Sequence, residues 1–309
     1  MALYQKHRPN TFEDVVGNQE TISTLSTMVR DKETCPHAFL LTGPTGCGKT
    51  TIGRIIVQEL GCSEHDYKEV DSADFRGIDT IRDIRKQSRF RPMAGEVKVW
   101  LIDECHKMTG DAQNALLKIL EDTPKHVFFI LATTDPQKLI PTIKGRCSTF
   151  AVKPLGEKEM KRLLRRVAKE EVATDSTGLT KEIYEQIVMD SLGHPRNALQ
   201  ILEQVLRTDP EKRLEVARRA AEEQSQSIEL CRALLKGPGT SWKEVATILQ
   251  GLKDQDAESI RRHVLGYCQS VLLRGSNDQA AKVIEEFWEP LYNIGFPGLV
   301  YACYSSKNG

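Results

Sequence analysis

Residues 43–50 read Gly43-Pro44-Thr45-Gly46-Cys47-Gly48-Lys49-Thr50. They satisfy the pattern G-x-x-x-x-G-K-[ST] at every fixed position. The flanks restrict the fold further. Ala38-Phe39-Leu40-Leu41 is a short apolar run suited to a buried parallel strand, and Thr51–Val57 has helical spacing. A chance glycine-rich turn would lack this strand–loop–helix frame. The glycines let the backbone wrap a polyphosphate closely. Their N–H groups form an anion nest backed by the positive end of the following helix. Lys49 reaches the outer phosphates as a point charge, and Thr50 is placed to hold Mg²⁺.

The first half of the chain repeats the same alternation. Strands are predicted at Ala38–Leu41, Tyr67–Val70, Val97–Ile102, Val127–Ala132 and Ser148–Val152, with amphipathic stretches such as Gln113–Leu120 between them. This βα order implies a parallel sheet covered by helices on both faces. Pro154-Leu155-Gly156 ends the pattern. Beyond it the spacing predicts helices over Lys158–Lys169, Lys181–Ser191, Arg196–Leu206 and Lys212–Leu235. A loop at Lys236–Ser241 is followed by helical stretches at Val245–Leu252, Ile260–Leu273 and Gln279–Tyr292. Gly295-Phe296-Pro297-Gly298 predicts a turn before a short tail.

A chain of 309 residues has room for two or three domains. The formal net charge is zero, so nucleic-acid binding would need a local basic patch. The eight cysteines form no C-x-x-C pair, which argues against a zinc site or disulfide framework and suits a reducing cytosol. Met1–Pro9 lacks the apolar core of a signal peptide, and no run approaches the roughly 18 apolar residues that span a membrane. The expectation is a soluble intracellular protein.

Val97-Lys98-Val99-Trp100-Leu101-Ile102-Asp103-Glu104 is a mostly apolar strand ending in two carboxylates. Open α/β sheets bind ligands at the carboxyl ends of their strands. Neighbouring residues on a strand point opposite ways, so the two acids take different roles. Asp103 is placed to hold Mg²⁺, directly or through water. Glu104 can orient and deprotonate an attacking water. Two acids capping an ordinary strand are the plain alternative, and the intact glycine loop argues against it.

Several further segments carry a resemblance. They are Tyr4–Pro9, Phe12–Gly17, Asp103–Met108, Asp111–Lys118, Ala132–Lys138 and Gly193–Leu199. Together with the glycine loop, their order and spacing over residues 3–205 resemble the AAA+ clamp-loader ATPases. That family includes the gamma/tau subunits of bacterial DNA polymerase III and the small subunits of replication factor C. Residues 206–309 match weakly. The resemblance implies a RecA-like parallel sheet flanked by helices over 1–152. A small helical lid over 153–207 and an all-α oligomerisation domain of the collar type over 208–309 would follow. It implies ATP and Mg²⁺ as cofactors, with Thr50 and Asp103 on the metal. Nucleotide contacts would come from Gly43 to Gly48, Lys49, Thr50, Thr51, Arg8, Pro9, Val16 and Arg196. The implied catalytic set is Lys49, Glu104, Thr134 as sensor one, Arg196 as sensor two and Arg146. Arg146 aligns with the Ser-Arg-Cys motif, whose arginine reaches a neighbouring subunit's ATP in relatives. Here Gly145 replaces the serine, which puts the rigidity of that loop in question.

Val70–Asp79 resembles the replication factor C segment that opens a DNA-facing helix. It implies DNA contacts from Arg76, Gly77, Ile78, Arg82, Arg85 and Lys86, with Arg89 and Arg91 further along. Helix N-termini and Arg/Lys heads favour phosphate oxygens, so such contacts would sense duplex geometry rather than sequence. A solvated basic face is the alternative. The basic run Lys153–Lys169, interrupted by Glu157 and Glu159, reads as the solvated face of a lid helix. Where the gamma/tau relatives insert a four-cysteine zinc module, Leu60–Asp66 has one Cys and one His, too few for a closed tetrahedral site. The chain is also too short for the long extension of the tau form. Both points suggest a compact loader subunit of viral or archaeal-like type.

The functional expectation is an ATP-driven motor subunit, stimulated by DNA and clamp, that loads a sliding clamp onto primer–template DNA. Its partners would be other loader subunits in a pentameric hetero-oligomer, the clamp and DNA. Its place would be the cytoplasm, or a viral replisome within the host cytoplasm. Two alternatives remain. One is a DNA-remodelling AAA+ ATPase such as a branch-migration helicase, disfavoured because such motors usually end in a winged helix. The other is a structural loader subunit that lends Arg146 without hydrolysing ATP, disfavoured by intact Lys49, Thr50, Asp103 and Glu104.

Overall fold

A computed structural model describes residues 1–31, 34–72, 77–172, 178–217, 226–273, 275–292 and 294–308. They fall into two compact units. One holds Leu3–Glu159 with His194–Arg196. The other holds Met160–Gly193 with Asn197–Gly309.

The first unit is built on five parallel strands: β1 (Ala38–Thr42), β2 (Tyr67–Asp71), β3 (Lys98–Asp103), β4 (Val127–Thr133) and β5 (Ser148–Ala151), in the order β2-β3-β4-β1-β5. Strand alternation sends successive side chains to opposite faces. Phe39 and Leu41 of β1, with Val99, Leu101, Phe128 and Ile130, join one core containing Leu25, Ile52, Ile55 and Ile56 from helices α2 (Gln19–Arg30) and α3 (Lys49–Glu59). Ala38 and Leu40, with Trp100, Ile102, Phe129 and Leu131, join the other. That second core takes Ile81 and Ile84 from α4 (Ile78–Ser88), Leu116 and Ile119 from α5 (Gly110–Glu121) and Ile143 from α6 (Pro141–Gly145). A fully buried Leu, Ile or Phe contributes about 1.5–3 kcal/mol. The two cores therefore hold the sheet rigid beneath its carboxyl edge. Thr109 starts α5 by accepting the Ala112 N–H, an ordinary N-cap.

Gln113 is only 4% exposed. Its side-chain amide donates to Met108 O (3.2 Å) and Lys138 O (3.4 Å), and its carbonyl accepts from Ile140 N (3.0 Å). This side chain ties α5 to the segments after β3 and β4. Asp66 is equally buried. Its carboxylate accepts from the backbone N–H groups of Met93, Ala94 and Gly95 at 2.6, 2.9 and 3.2 Å. Burial alone would raise its pKa, but these donors outweigh burial and hold the carboxyl below the ordinary range.

The second unit is helical in its described residues. Helices span Glu157–Glu171, Lys181–Ser191, Pro195–Leu206, Gln226–Leu235, Trp242–Gly251, Ala257–Leu272, Asp278–Glu286 and Phe296–Asn308, the first and third beginning among residues of the first unit. Buried Asp190 pairs with Arg232 at 2.7 Å and accepts from Gln186 and Tyr267. Of the helix expected over Lys212–Leu235, residues 218–225 lie outside the described residues. The sequence pattern differs from the structure at two places. The helix expected over Gln279–Tyr292 stops at Glu286, shortly before Pro290, whose ring disfavours helix in the residue before it. The expected tail is instead the helix Phe296–Asn308. Pro297 sits in its first turn, where its missing N–H costs nothing. The turn is confined to Gly295, whose φ is +61°.

Candidate nucleotide site

Three strand ends supply the site. β1 runs into the glycine loop, β3 delivers Asp103 and Glu104, and β4, lying between them, delivers Thr133 and Thr134. Gly43 N donates to Thr133 O at 3.2 Å, so the loop is pinned to β4 at its first residue. Gly43 has φ +148°, and a Cβ built there would lie 2.1 Å from Val152 O. Gly48, at φ +101°, is the N-cap of α3.

Lys49 is 5% exposed. Its ammonium donates to Gly43 O (2.9 Å) and Pro44 O (3.0 Å), folded back on its own loop. Burial lowers its pKa, while Glu104 and Asp103 oppose that shift. Thr50 Oγ1 donates to Asp103 Oδ2 at 2.6 Å, and Asp103 Oδ1 accepts the Glu104 N–H at 2.9 Å. Glu104 has φ 47° and ψ 39°, left-handed backbone that costs a non-glycine residue about 1–3 kcal/mol. Its Oε2 accepts from Thr134 Oγ1 at 3.0 Å and lies 3.3 Å from His106 Nδ1. That same nitrogen is 3.0 Å from Thr133 Oγ1.

Arg196 also belongs to this neighbourhood. Its guanidinium lies 5.7 Å from the Tyr4 ring centroid and acts electrostatically on both Lys49 and Arg8. A Cβ built on Gly46 would lie 3.6 Å from Arg196 Cβ and 3.7 Å from His194 Cβ, so this turn packs on the glycine loop. His194 Nδ1 is 3.4 Å from Cys47 Sγ. Burial pushes the Cys47 thiol up to about 11, which makes it a packing group rather than a nucleophile. Burial, then Arg54 and Arg196, lowers the Arg8 pKa. Pro9, Val16 and Thr51 are half-buried.

Arg146 makes its contacts elsewhere. It pairs with the Glu121 carboxylate at the end of α5 and donates to Thr142 O at 3.3 Å. Both partners are partly exposed, at 36% and 42%. Gly145 ends α6, and a Cβ there meets no atom within 4 Å, so serine would fit.

On α4, Ile81, Ile84 and Ser88 face the core while Arg82, Arg85 and Lys86 are exposed. Gly77 is its N-cap and Ile78 its first residue. The outer face carries both signs: Arg82 pairs with Asp79 (3.0 Å) and Lys86 with Asp83 (3.2 Å). Arg76 lies outside the described residues.

The donor set suits a nucleotide–metal pair. Thr50 and Asp103 present two hard oxygens side by side, and Mg²⁺ is commonly held by one or two protein oxygens with substrate phosphates completing its shell. Among the described residues no cluster of three or more His, Cys, Asp or Glu is placed to hold a metal ion.

A family model described as DNA polymerase III, delta subunit, matches residues 67–156. The DNA polymerase III subunit gamma/tau of Mycobacterium tuberculosis is 34% identical over 230 residues, covering 67% of this chain and 39% of the relative. The tau subunit of Escherichia coli is 30% identical over 313 residues, covering 94% of this chain and 43% of the relative. The resemblance to AAA+ clamp-loader ATPase subunits holds. The chain spans about two fifths of the length of these relatives, 39% and 43%. The AAA+ fold is matched by the Thermotoga maritima RuvB Holliday junction branch migration motor, at TM-score 0.59 and 19% identity over 79% of this chain and 85% of that one. At that identity the likeness is one of fold.

Sequence reasoning missed the contacts of His106, the His194–Cys47 pair and the Gln113 junction. His106 lies inside the segment Asp103–Met108 that carried the resemblance. Its imidazole meets Thr133 only because β3 and β4 are neighbours in register.

Proposed function

We propose that this chain is the ATP-hydrolysing motor subunit of a clamp loader, placing a ring-shaped sliding clamp on primer–template DNA. The observation that carries the reading is the convergence of Lys49, the Thr50–Asp103 pair and the Glu104–Thr134 pair on adjoining strand ends. The N–H groups of Gly43–Thr51 cradle the phosphates. Lys49 exchanges its two loop carbonyls for phosphate oxygens. Thr50 and Asp103 would hold Mg²⁺, which neutralises charge on the transferring phosphoryl group. Glu104 takes a proton from the attacking water as its oxygen bonds to the γ-phosphorus. The bond to the bridging oxygen breaks, leaving ADP and phosphate. Thr134 senses the γ-phosphate, and Arg8, Pro9, Val16 and Arg196 complete the pocket.

Arg146 is proposed to act on a neighbour's nucleotide. Its contacts lie away from its own loop, and an exposed pair of this kind is worth about 0–1 kcal/mol, so Glu121 releases it cheaply. The division into an ATPase domain (1–152), lid (153–207) and collar-type oligomerisation domain (208–309) belongs to the same proposal. So does DNA contact through Gly77, Ile78, Arg82, Arg85 and Lys86.

The test is single-turnover ATP hydrolysis with primed DNA and a candidate clamp, comparing wild type with Glu104→Gln. The reading expects the variant to bind ATP and fail to hydrolyse it. Equal hydrolysis by both would refute the assignment. Arg85→Glu should weaken DNA stimulation in a salt-dependent way, and unchanged stimulation would remove α4 from the DNA surface.

A further inference from the structure

We propose that His106 is a positioning residue for Glu104, holding its carboxylate in place while Thr134 moves between Glu104 and the substrate. The inference rests on the ATPase reading above. Glu104 Oε2 accepts from Thr134 Oγ1 at 3.0 Å and lies 3.3 Å from His106 Nδ1. A carboxylate only accepts, so the proposal requires the Nδ1–H tautomer of His106. The same Nδ1 is hydrogen-bonded with Thr133 Oγ1 at 3.0 Å, and Thr133 Oγ1 also accepts the Asp135 N–H at 3.1 Å. The ring is therefore anchored to β4, beside the residue that delivers Thr134. It is mostly buried, with a side chain 10% exposed.

The two donors have different fates in the proposed cycle. When Thr134 turns to the γ-phosphate, Oε2 loses that bond. Glu104 then stands on strained left-handed backbone with a side chain 23% exposed, free to leave the line of attack. His106 prevents this. It fixes Oε2 and leaves Oε1 as the oxygen that receives the water's proton. Orientation of this kind acts on the chemical step, not on substrate affinity.

The experiment measures kcat and KM for ATP, with primed DNA present, for wild type, His106→Leu, His106→Asn, His106→Gln and Glu104→Gln. An Asn amide N–H can take the place of Nδ1–H, whereas a Gln amide reaches toward the Nε2 position. Loss of one hydrogen bond to a charged group predicts a kcat lower by about tenfold or more for His106→Leu. KM should stay within about twofold of wild type. His106→Asn should recover most of the rate and His106→Gln should not. If the Leu chain does not fold, the Asn–Gln contrast decides. Wild-type kcat in His106→Leu, a change confined to KM, or equal rates for Asn and Gln would overturn the inference. A rate that needs Glu104 but ignores His106 sinks this proposal alone. A rate that ignores Glu104, or no hydrolysis by wild type, sinks the ATPase reading and this proposal with it.

Discussion

Replacing Gly43 with alanine tests whether the glycine loop is held by backbone geometry. The new Cβ would lie 2.1 Å from Val152 O, and φ is +148°. Neither backbone can retreat freely. Gly43 N is bonded to Thr133 O at 3.2 Å, and Val152 N to Thr42 O at 2.7 Å. Backbone strain adds about 1–3 kcal/mol and overpacking about 1–3 kcal/mol, so the cost is about 2–6 kcal/mol. Gly48→Ala is the control. Its φ is +101°, but a Cβ there meets nothing within 4 Å, so only the strain applies. Each kcal/mol lowers the midpoint of a unit this size by about 2–4 °C. Thermal unfolding of the full chain, followed by circular dichroism, should show the larger fall for Gly43→Ala, on the order of 10 °C, and a few degrees for Gly48→Ala. Equal shifts, or a Gly43→Ala chain as stable as wild type, would refute the reasoning.

Three further outcomes follow from the same contacts. Asp66 is held below the ordinary carboxylate range by its three N–H donors. Its stabilisation is present above the unfolded value of about 4 and is lost as pH falls through the depressed folded value; an acid titration of unfolding should be shallower in Asp66→Asn. Gln113→Leu removes the partner of three backbone groups, one in a buried bond and two in part-buried bonds, and should cost about 2 kcal/mol in urea unfolding; a change under about 0.5 kcal/mol would show that α5 is held without it. Arg146→Ala should leave stability within about 1 kcal/mol of wild type, because its pair with Glu121 is exposed, while turnover of the assembled protein falls by about a thousandfold or more.

The middle of the sheet was legible because strands β1, β3 and β4 are buried on both faces. Ala38–Leu41 and Val127–Ala132 read as continuous apolar runs, and the strands extend each by one residue. Lys49, Thr50, Asp103, Glu104, Thr134 and Arg196 could be picked out because each lies in a short segment of fixed spacing, and the structure brings them together. What spacing does not carry is side-chain convergence between strands. His106 and Gln113 bond to residues 25 to 27 positions away, across neighbouring strands and loops. The last helix was misread because Gly295, Pro297 and Gly298 signal a turn by composition. Gly298 lies inside the helix, where a Cβ would come within 2.8 Å of Leu291. Its role is close packing. The mixed charge on α4 was written in the sequence, but the Arg82–Asp79 and Lys86–Asp83 pairs show how far the acids offset the basic face.

The central claim is that one chain's nucleotide site is completed by Arg146 of another. Mixing two inactive variants tests it most directly. Lys49→Ala chains lose their own site but keep Arg146, and Arg146→Ala chains keep the site but lack the arginine. In a random equimolar assembly with head-to-tail contacts, about a quarter of the interfaces pair an intact site with an intact arginine. ATP turnover should be near zero for either variant alone and should rise in the mixture toward about a quarter of the wild-type rate. A mixture no more active than the sum of its parents would contradict the account.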